Sequence, residues 1–384
     1  MTTALQELMP SPLPTPPNFP VTWEDPAEAT YFWTFDRAHA PEPMVPVDGV
    51  YFHHGYQYGI TAAARAFEMP FRCLARRINT YGYLALVPLP LSPEEAEAQG
   101  KRSQEKLTAA MGRLAETWQG EFLPEIEGYL ADWAAFDLRG APMPALLAHL
   151  DESMARTKRL YEIHMLVAFP FLTAISLFDE LYRDLFGSER VFDGFKLLQG
   201  FENKTVEGGR ALWQLSRRAL AQPEVRKALE TKAAADVPAA LEQTAAGRAF
   251  LVELRAYLRV WGQRGDRWGW SYPSWIEDPT PAIKNLKDYA AQPERDLEAE
   301  MATQVAERER LIAETRERLR GYPEPARNQF EFRLKAAQEA IVLTEDHAFW
   351  IDFRCMYEVR RVLLEVGRRL AEAGVLDEPA QVFY

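Results

Sequence analysis

Glu345-Asp346-His347-Ala348-Phe349-Trp350-Ile351-Asp352, followed by Arg360-Arg361-Val362-Leu363-Leu364-Glu365-Val366-Gly367-Arg368-Arg369-Leu370, decides the fold class of this chain. Apolar residues recur three and four apart with charges between them, the pattern of an amphipathic helix with one face on a core. The stretch closes on polar Leu376-Asp377-Glu378-Pro379 and ends Val382-Phe383-Tyr384. The same periodicity reaches back to residue 92. There Ser92-Pro93-Glu94-Glu95 combines an N-cap serine, a proline at the first helical position and a glutamate three residues after the cap, a capping box. Helices are expected from 93 to about 137 with a break near Gly120 and Pro124, over 143–186 up to Gly187, and over 205–221, 223–234 and 240–262. Further helices are expected over 280–291, 294–320, 323–345 and 346–373. The charged segment from Leu297 to Arg320 has Glu and Arg at helical spacing and reads as a solvent-exposed arm.

The first ninety residues differ. Six prolines between Pro10 and Pro20 preclude helix and ladder, so residues 1–20 read as an extended or disordered arm. Ala27 to His39 reads as a short aromatic helix. Gly49-Val50-Tyr51-Phe52 and Tyr81 to Val87 have strand-like content bounded by Gly and Pro, and pair in this reading as a small sheet. The expectation is a mainly α protein: a large multi-helix domain with a small β element near residues 45–90. The Pro-rich arm 1–20 precedes one helical domain, 21–384, with a mixed sub-region 21–92 and a helical part 93–384. No internal repeat is apparent.

Composition narrows the function. A formal net charge of −12 argues against nucleic acid, whose phosphates need a clustered cationic face, and against an anionic membrane surface. The apolar run Ile163 to Phe178 is too short to cross a bilayer and contains His164 and Pro170, so it reads as a buried helix. Cys73 and Cys355 have no metal or redox spacing and fit a reducing cytoplasm. There is no P-loop and no dinucleotide fingerprint. No histidine follows a glutamate by three residues, as a di-iron bundle requires, and no zinc spacing occurs. Sequence spacing therefore gives no metal ligands.

Aromatic neighbourhoods hold the remaining chemistry. Aromatic residues make up 12% of the chain, with 10 Trp; they either fill the core or shape a pocket for a flat ligand. Gly262-Gln263-Arg264-Gly265-Asp266-Arg267-Trp268-Gly269-Trp270-Ser271-Tyr272-Pro273-Ser274-Trp275 cannot be a regular helix, and so many aromatics in a loop must be buried or line a site. His53 and His54 fall in Tyr51-Phe52-His53-His54-Gly55-Tyr56; on an extended segment only one of the two would point into a cavity. His347 projects from a face shared with Leu343, Trp350 and Ile351. It is either a neutral imidazole available as a base or a core histidine satisfied by a backbone carbonyl. Lys204, Arg264 and Arg267 either balance phosphoryl charge or make ordinary ion pairs and cation–π contacts.

Phe19 to Pro26, the Gly208 to Arg218 stretch with Ala211-Leu212-Trp213, Trp275 to Pro281, and the closing helix through Tyr384 together resemble the central helical domain of the phosphoenolpyruvate synthase-like family of phosphoenolpyruvate-utilising enzymes. That family includes rifampicin phosphotransferase and phenylphosphate synthase. In it an ATP-grasp domain phosphorylates a histidine on a swivelling domain, which hands the phosphoryl group to pyruvate or to a hydroxyl. The resemblance implies an acceptor-binding domain that binds no cofactor itself, with ATP and Mg on a partner domain. ATP-grasp and phosphohistidine domains or subunits would be its partners, a phosphohistidine domain following Tyr384, and the chain alone would be inert. On this reading segments 51–58, 76–83, 264–275 and 346–354 converge on a pocket for an aromatic or apolar hydroxyl compound, with His347 or His53 taking the hydroxyl proton. Tyr51, Tyr56, Arg76 and Tyr83 would contribute from the first half of the chain. Lys204, Arg264, Arg267, Trp268, Trp270, Trp350 and Asp352 would contribute from the second. The alternative is a non-catalytic helical scaffold that docks partner domains.

Overall fold

The computed structural model describes residue 21 and residues 23–187 and 191–384, without the side chains of residues 191 and 192. The Pro-rich arm 1–20 lies outside the described residues. Among the described residues the fold is mainly α with one three-stranded antiparallel sheet, whose central strand is the last of the three in sequence.

Strand β1 is Thr34–Phe35, β2 is Phe71–Ile78 and β3 is Tyr81–Pro88. Asn79 and Thr80 take positive φ of 47° and 73°, the paired left-handed conformation that closes a two-residue hairpin. Ile78 thereby faces Tyr81 and Phe71 faces Pro88, while Phe35 joins opposite Tyr83. Two expectations are corrected here. Gly49-Val50-Tyr51-Phe52 belongs to the helix Pro46–Phe52, not to a strand. Pro46 supplies a helical first position, and burying Tyr51 and Phe52 on one side outweighs their strand propensity. Residues 27–39 form a 3-10 turn, Pro26–Thr30, capped by Asp25, followed by β1 rather than a helix.

The capping box is present: Ser92 N donates to Glu95 Oε2 at 2.8 Å and Glu95 N to Ser92 Oγ at 3.2 Å, opening the helix Pro93–Met111. Met143–Phe186 is a single 44-residue helix. It is long and apolar enough to cross a membrane, yet 56% of its most apolar window is buried inside the fold. It packs along Glu324–His347 and Tyr58–Ala66. At the second contact a Cβ on Gly59 would press into the Tyr161 carbonyl, so only glycine lets the two backbones come this close. Trp118, Trp133, Tyr161 and Ile163 fill the core between them.

Lys204–Leu220, Pro223–Thr231, Ala245–Trp261 and Thr280–Ala290 form a sub-bundle around Leu212, Phe250, Leu254, Ile283 and Leu286. Leu297–Arg318 is helical as expected, but it is not an unpartnered arm. Ile312, on that helix, and the following Leu319 join Phe178, Leu197 and Phe330 in a third apolar cluster. The expected break between residues 345 and 346 is also absent. Glu324–His347 runs through a π-helical stretch, Ala348–Cys355, into Met356–Glu372.

Candidate functional site

The loop between Ala245–Trp261 and Thr280–Ala290 folds back over the helix Pro46–Phe52 and the π-helical stretch. Buried charges tie it down. Asp48 Oδ1 accepts from Ser271 N at 3.0 Å, and Asp48 Oδ2 accepts from the Ser271 hydroxyl. Gly269 has φ +130°, and a Cβ there would stand 2.8 Å from the Asp48 carboxyl, so this turn requires glycine. The buried Arg360 guanidinium donates to both Glu277 oxygens, at 2.9 Å each, and to the Trp270 carbonyl at 2.6 Å. Such a bidentate pair fixes orientation as well as charge. Trp275 Nε1 donates to Asp266 at 2.8 Å.

Beneath this loop is a partly enclosed cavity of about 120 Å³, lined among others by Tyr51, Arg267, Trp268, Asp352, Phe353 and Tyr357. A buried polar chain runs behind it. The Tyr51 and Tyr161 hydroxyls share a hydrogen bond, and Tyr161 donates to Asp352 Oδ1 at 3.1 Å. His164 stacks on Tyr161 and places Nδ1 3.3 Å from Asp352 Oδ1. His347 meets His164 edge to face, with ring centroids 4.5 Å apart, and its Nδ1 bonds the Leu343 carbonyl at 2.5 Å.

Burial, with Asp352's charge adding to it, raises the Tyr51 and Tyr161 phenols well above their ordinary range, so both stay neutral donors. Burial, reinforced by His164, lowers His347 to about 4, so its imidazole is neutral at ordinary pH. Asp48 is raised by burial against the lowering effect of its Ser271 hydrogen bonds.

The π-helical stretch is what assembles this cluster. Five residues of an α-helix turn through about 500°, which would leave Asp352 about 140° away from His347. The π-helix closes its turn with i→i+5 bonds, so positions five apart return to one face. His164 and Tyr161, three apart on the long helix, share a face in the ordinary way.

Of the residues expected from sequence, Tyr51, Arg267, Trp268 and Asp352 line the cavity. The Asp352 carboxylate itself is fully enclosed and bonds inward to Tyr161. Tyr56 is buried behind the cavity against Phe52, Tyr161 and His39. Trp270 is buried in the core beside Tyr51. His347 closes the far end of the polar chain and, held by a backbone carbonyl, does not reach the cavity. The other candidates lie elsewhere. His53 and His54 are not on an extended segment but open a π-helical turn, His53–Gln57. They face a separate cleft with Arg72 and Lys158, and burial, then the charges of Arg76 and Lys158, lower His53. Arg76 pairs with Glu24 and Glu28, Tyr83 packs on Phe35 in the sheet, and Lys204 pairs with Glu207. Arg264 is sandwiched between Trp275 and Phe353, and Trp350 lies against Phe349 under Arg354. Sequence reasoning missed Asp48, Tyr161, Arg360 and a site role for His164. Only His164 left a signal, an ionisable residue inside an apolar run.

Residues 164–345 match the family model described as the rifampicin phosphotransferase fourth domain. The chain is 41% identical over 376 residues to chondramide synthase cmdD of Chondromyces crocatus, covering 97% of this chain and 10% of that protein. It is 26% identical over 229 residues to an uncharacterized phosphotransferase, YvkC, of Bacillus subtilis strain 168, covering 58% of this chain and 27% of that one. The chain thus spans about a tenth and about a quarter of the lengths of these curated relatives.

Proposed function

We propose, from the chain's place in a phosphoenolpyruvate-utilising-like family with a helical central domain, that it is the acceptor-binding part of an ATP-dependent phosphotransferase working through a phosphorylated histidine. The acceptor is a small hydroxyl compound with an aromatic or apolar body. One observation carries the reading: three segments distant in sequence, 51, 263–274 and 352–360, close around a single cavity under an aromatic loop held by buried charges. Its lining mixes the rings of Trp268, Phe353 and Tyr357 with polar groups such as Gln263, Arg267 and Ser274, a mixture that suits a flat body bearing a hydroxyl.

The acceptor's body packs against the paired rings of Trp268 and Phe353, which contact each other at the cavity wall. Its hydroxyl lies toward Tyr51, where the Tyr51–Tyr161–Asp352 chain fixes the direction in which hydrogen bonds are offered. Arg267, exposed and paired with Glu42, adds positive charge at the loop for an incoming phosphoryl group, whose transfer depends on positioning and charge stabilisation. ATP, Mg and the phosphohistidine belong to partner domains.

The test combines this chain, ATP, the ATP-grasp and phosphohistidine partners and a panel of phenols. Transfer that requires this chain and falls with Trp268→Ala supports the proposal. No transfer to any hydroxyl compound, despite a phosphorylated histidine partner, favours a docking scaffold.

A further inference from the structure

Asp352 presents an electrostatic problem that the acceptor reading does not solve. Its side chain is fully enclosed, and Oδ2 is buried with no hydrogen-bond partner. Among the described residues no lysine or arginine pairs with it; its contacts are the Tyr161 hydroxyl and the His164 ring. A buried carboxylate with an uncommitted oxygen and no cationic partner is costly, and such charges persist when paired or bound to a metal.

The neighbouring groups are metal ligands. One donor atom from each of His164, His347 and Asp352 lies within 4.8 Å of the other two, and all three residues are buried. His164 Nδ1 is itself buried without a hydrogen-bond partner, its 3.3 Å approach to Asp352 Oδ1 notwithstanding. That separation suits two donors on one ion. Bonds of about 2.0–2.1 Å at a tetrahedral angle put their donor atoms about 3.3–3.4 Å apart. The His347 Nδ1 contact with the Leu343 carbonyl sets the tautomer, because Nδ1–H donates there and leaves the Nε2 lone pair free. A metal-bound histidine is usually held by this kind of outer hydrogen bond.

We propose that His164, His347 and Asp352 form a three-ligand site for a divalent transition metal of the zinc type. Two imidazoles and one carboxylate match such an ion and disfavour magnesium, which prefers an all-oxygen shell. A fourth ligand would come from the Tyr161 hydroxyl, which already contacts Asp352 Oδ1, or from water. The α-helical spacing rule hides the site from sequence inspection, because the π-helical stretch brings Asp352 onto the face of His347.

This inference is independent of the acceptor reading, and its test measures metal alone. The chelator-treated chain is titrated with Co²⁺ and followed by visible absorption, and the Zn²⁺-loaded chain is measured by X-ray absorption at the metal edge. The expected results are one Co²⁺ per chain with four-coordinate d–d bands, and a zinc shell containing two imidazoles. His347→Gln and Asp352→Asn, each checked for folding by circular dichroism, should weaken binding at least tenfold. Failure of the wild type to bind one equivalent, bands unchanged in both folded variants, or a zinc shell without imidazole would each overturn the proposal. The X-ray absorption result decides the matter on the wild type alone if either variant fails to fold.

Discussion

Replacing Gly269 by alanine isolates the anchoring of the aromatic loop. Two costs follow from the geometry. An L-residue at φ +130° is strained by about 1–3 kcal/mol. The new Cβ would also sit 2.8 Å from the Asp48 carboxyl, forcing that group away from the Ser271 amide it accepts from at 3.0 Å. A hydrogen bond to a charged group is worth about 1.5–3 kcal/mol. A combined loss of about 3 kcal/mol makes local opening of the loop about a hundredfold more frequent. Hydrogen exchange reads this at the amides of Ser271, Trp275 and Ile276, the last two bonded to the Arg264 and Gly262 carbonyls. They should exchange about a hundredfold faster, while amides of the Met143–Phe186 helix stay unchanged. In an Asp48→Ala background the clash is gone, and the effect of Gly269→Ala should shrink to the backbone strain alone. Unchanged exchange at Ser271 in Gly269→Ala would refute the anchoring.

Three further outcomes follow from the same contacts. Tyr161→Phe removes the donor between Tyr51 and Asp352 and should destabilise the chain by about 1–3 kcal/mol in urea melts, the cost of leaving buried polar groups unpaired. Gly59→Ala overpacks the contact with Tyr161 and should cost about 1–3 kcal/mol by the same measurement, with a larger loss for valine. Glu365 is held at about 2, against the usual 4.5, chiefly by its Arg368 hydrogen bonds and then by Arg369. Because the folded value is depressed, its contribution is present above pH 4.5 and is lost as pH falls from 4.5 toward 2. Thermal melts should therefore show Glu365→Gln below wild type at neutral pH, with the gap closing across that window.

What was legible in the sequence followed local rules. Ser92-Pro93-Glu94-Glu95 specifies its helix start through side chain–backbone bonds of its own, and Tyr81 to Val87 reads as a strand from its aromatic and branched content bounded by Gly and Pro. The partner strand Phe71–Ile78 was missed because Arg72, Arg76 and Arg77 break its apolar pattern, although Cys73, Leu74 and Ala75 are all buried. Gly49 to Phe52 was misread because tertiary burial of Tyr51 and Phe52 overrides strand propensity. The aromatic loop was recognisable, since that many rings must be covered or line something. Its anchors were not, because Asp48 and Arg360 meet it across 223 and 90 residues. The His347–Asp352 pairing depends on a π-helical register, which a 3.6-residue periodicity cannot reveal.

The measurement that tests the central claim most directly is a crystal structure of this chain soaked with a panel of phenols. Density for a ring against Trp268 and Phe353, with its hydroxyl toward Tyr51, is the result the account predicts. Clear density for the loop and Tyr51 with no phenol bound beneath them, at concentrations that saturate transfer in the complete system, would contradict it.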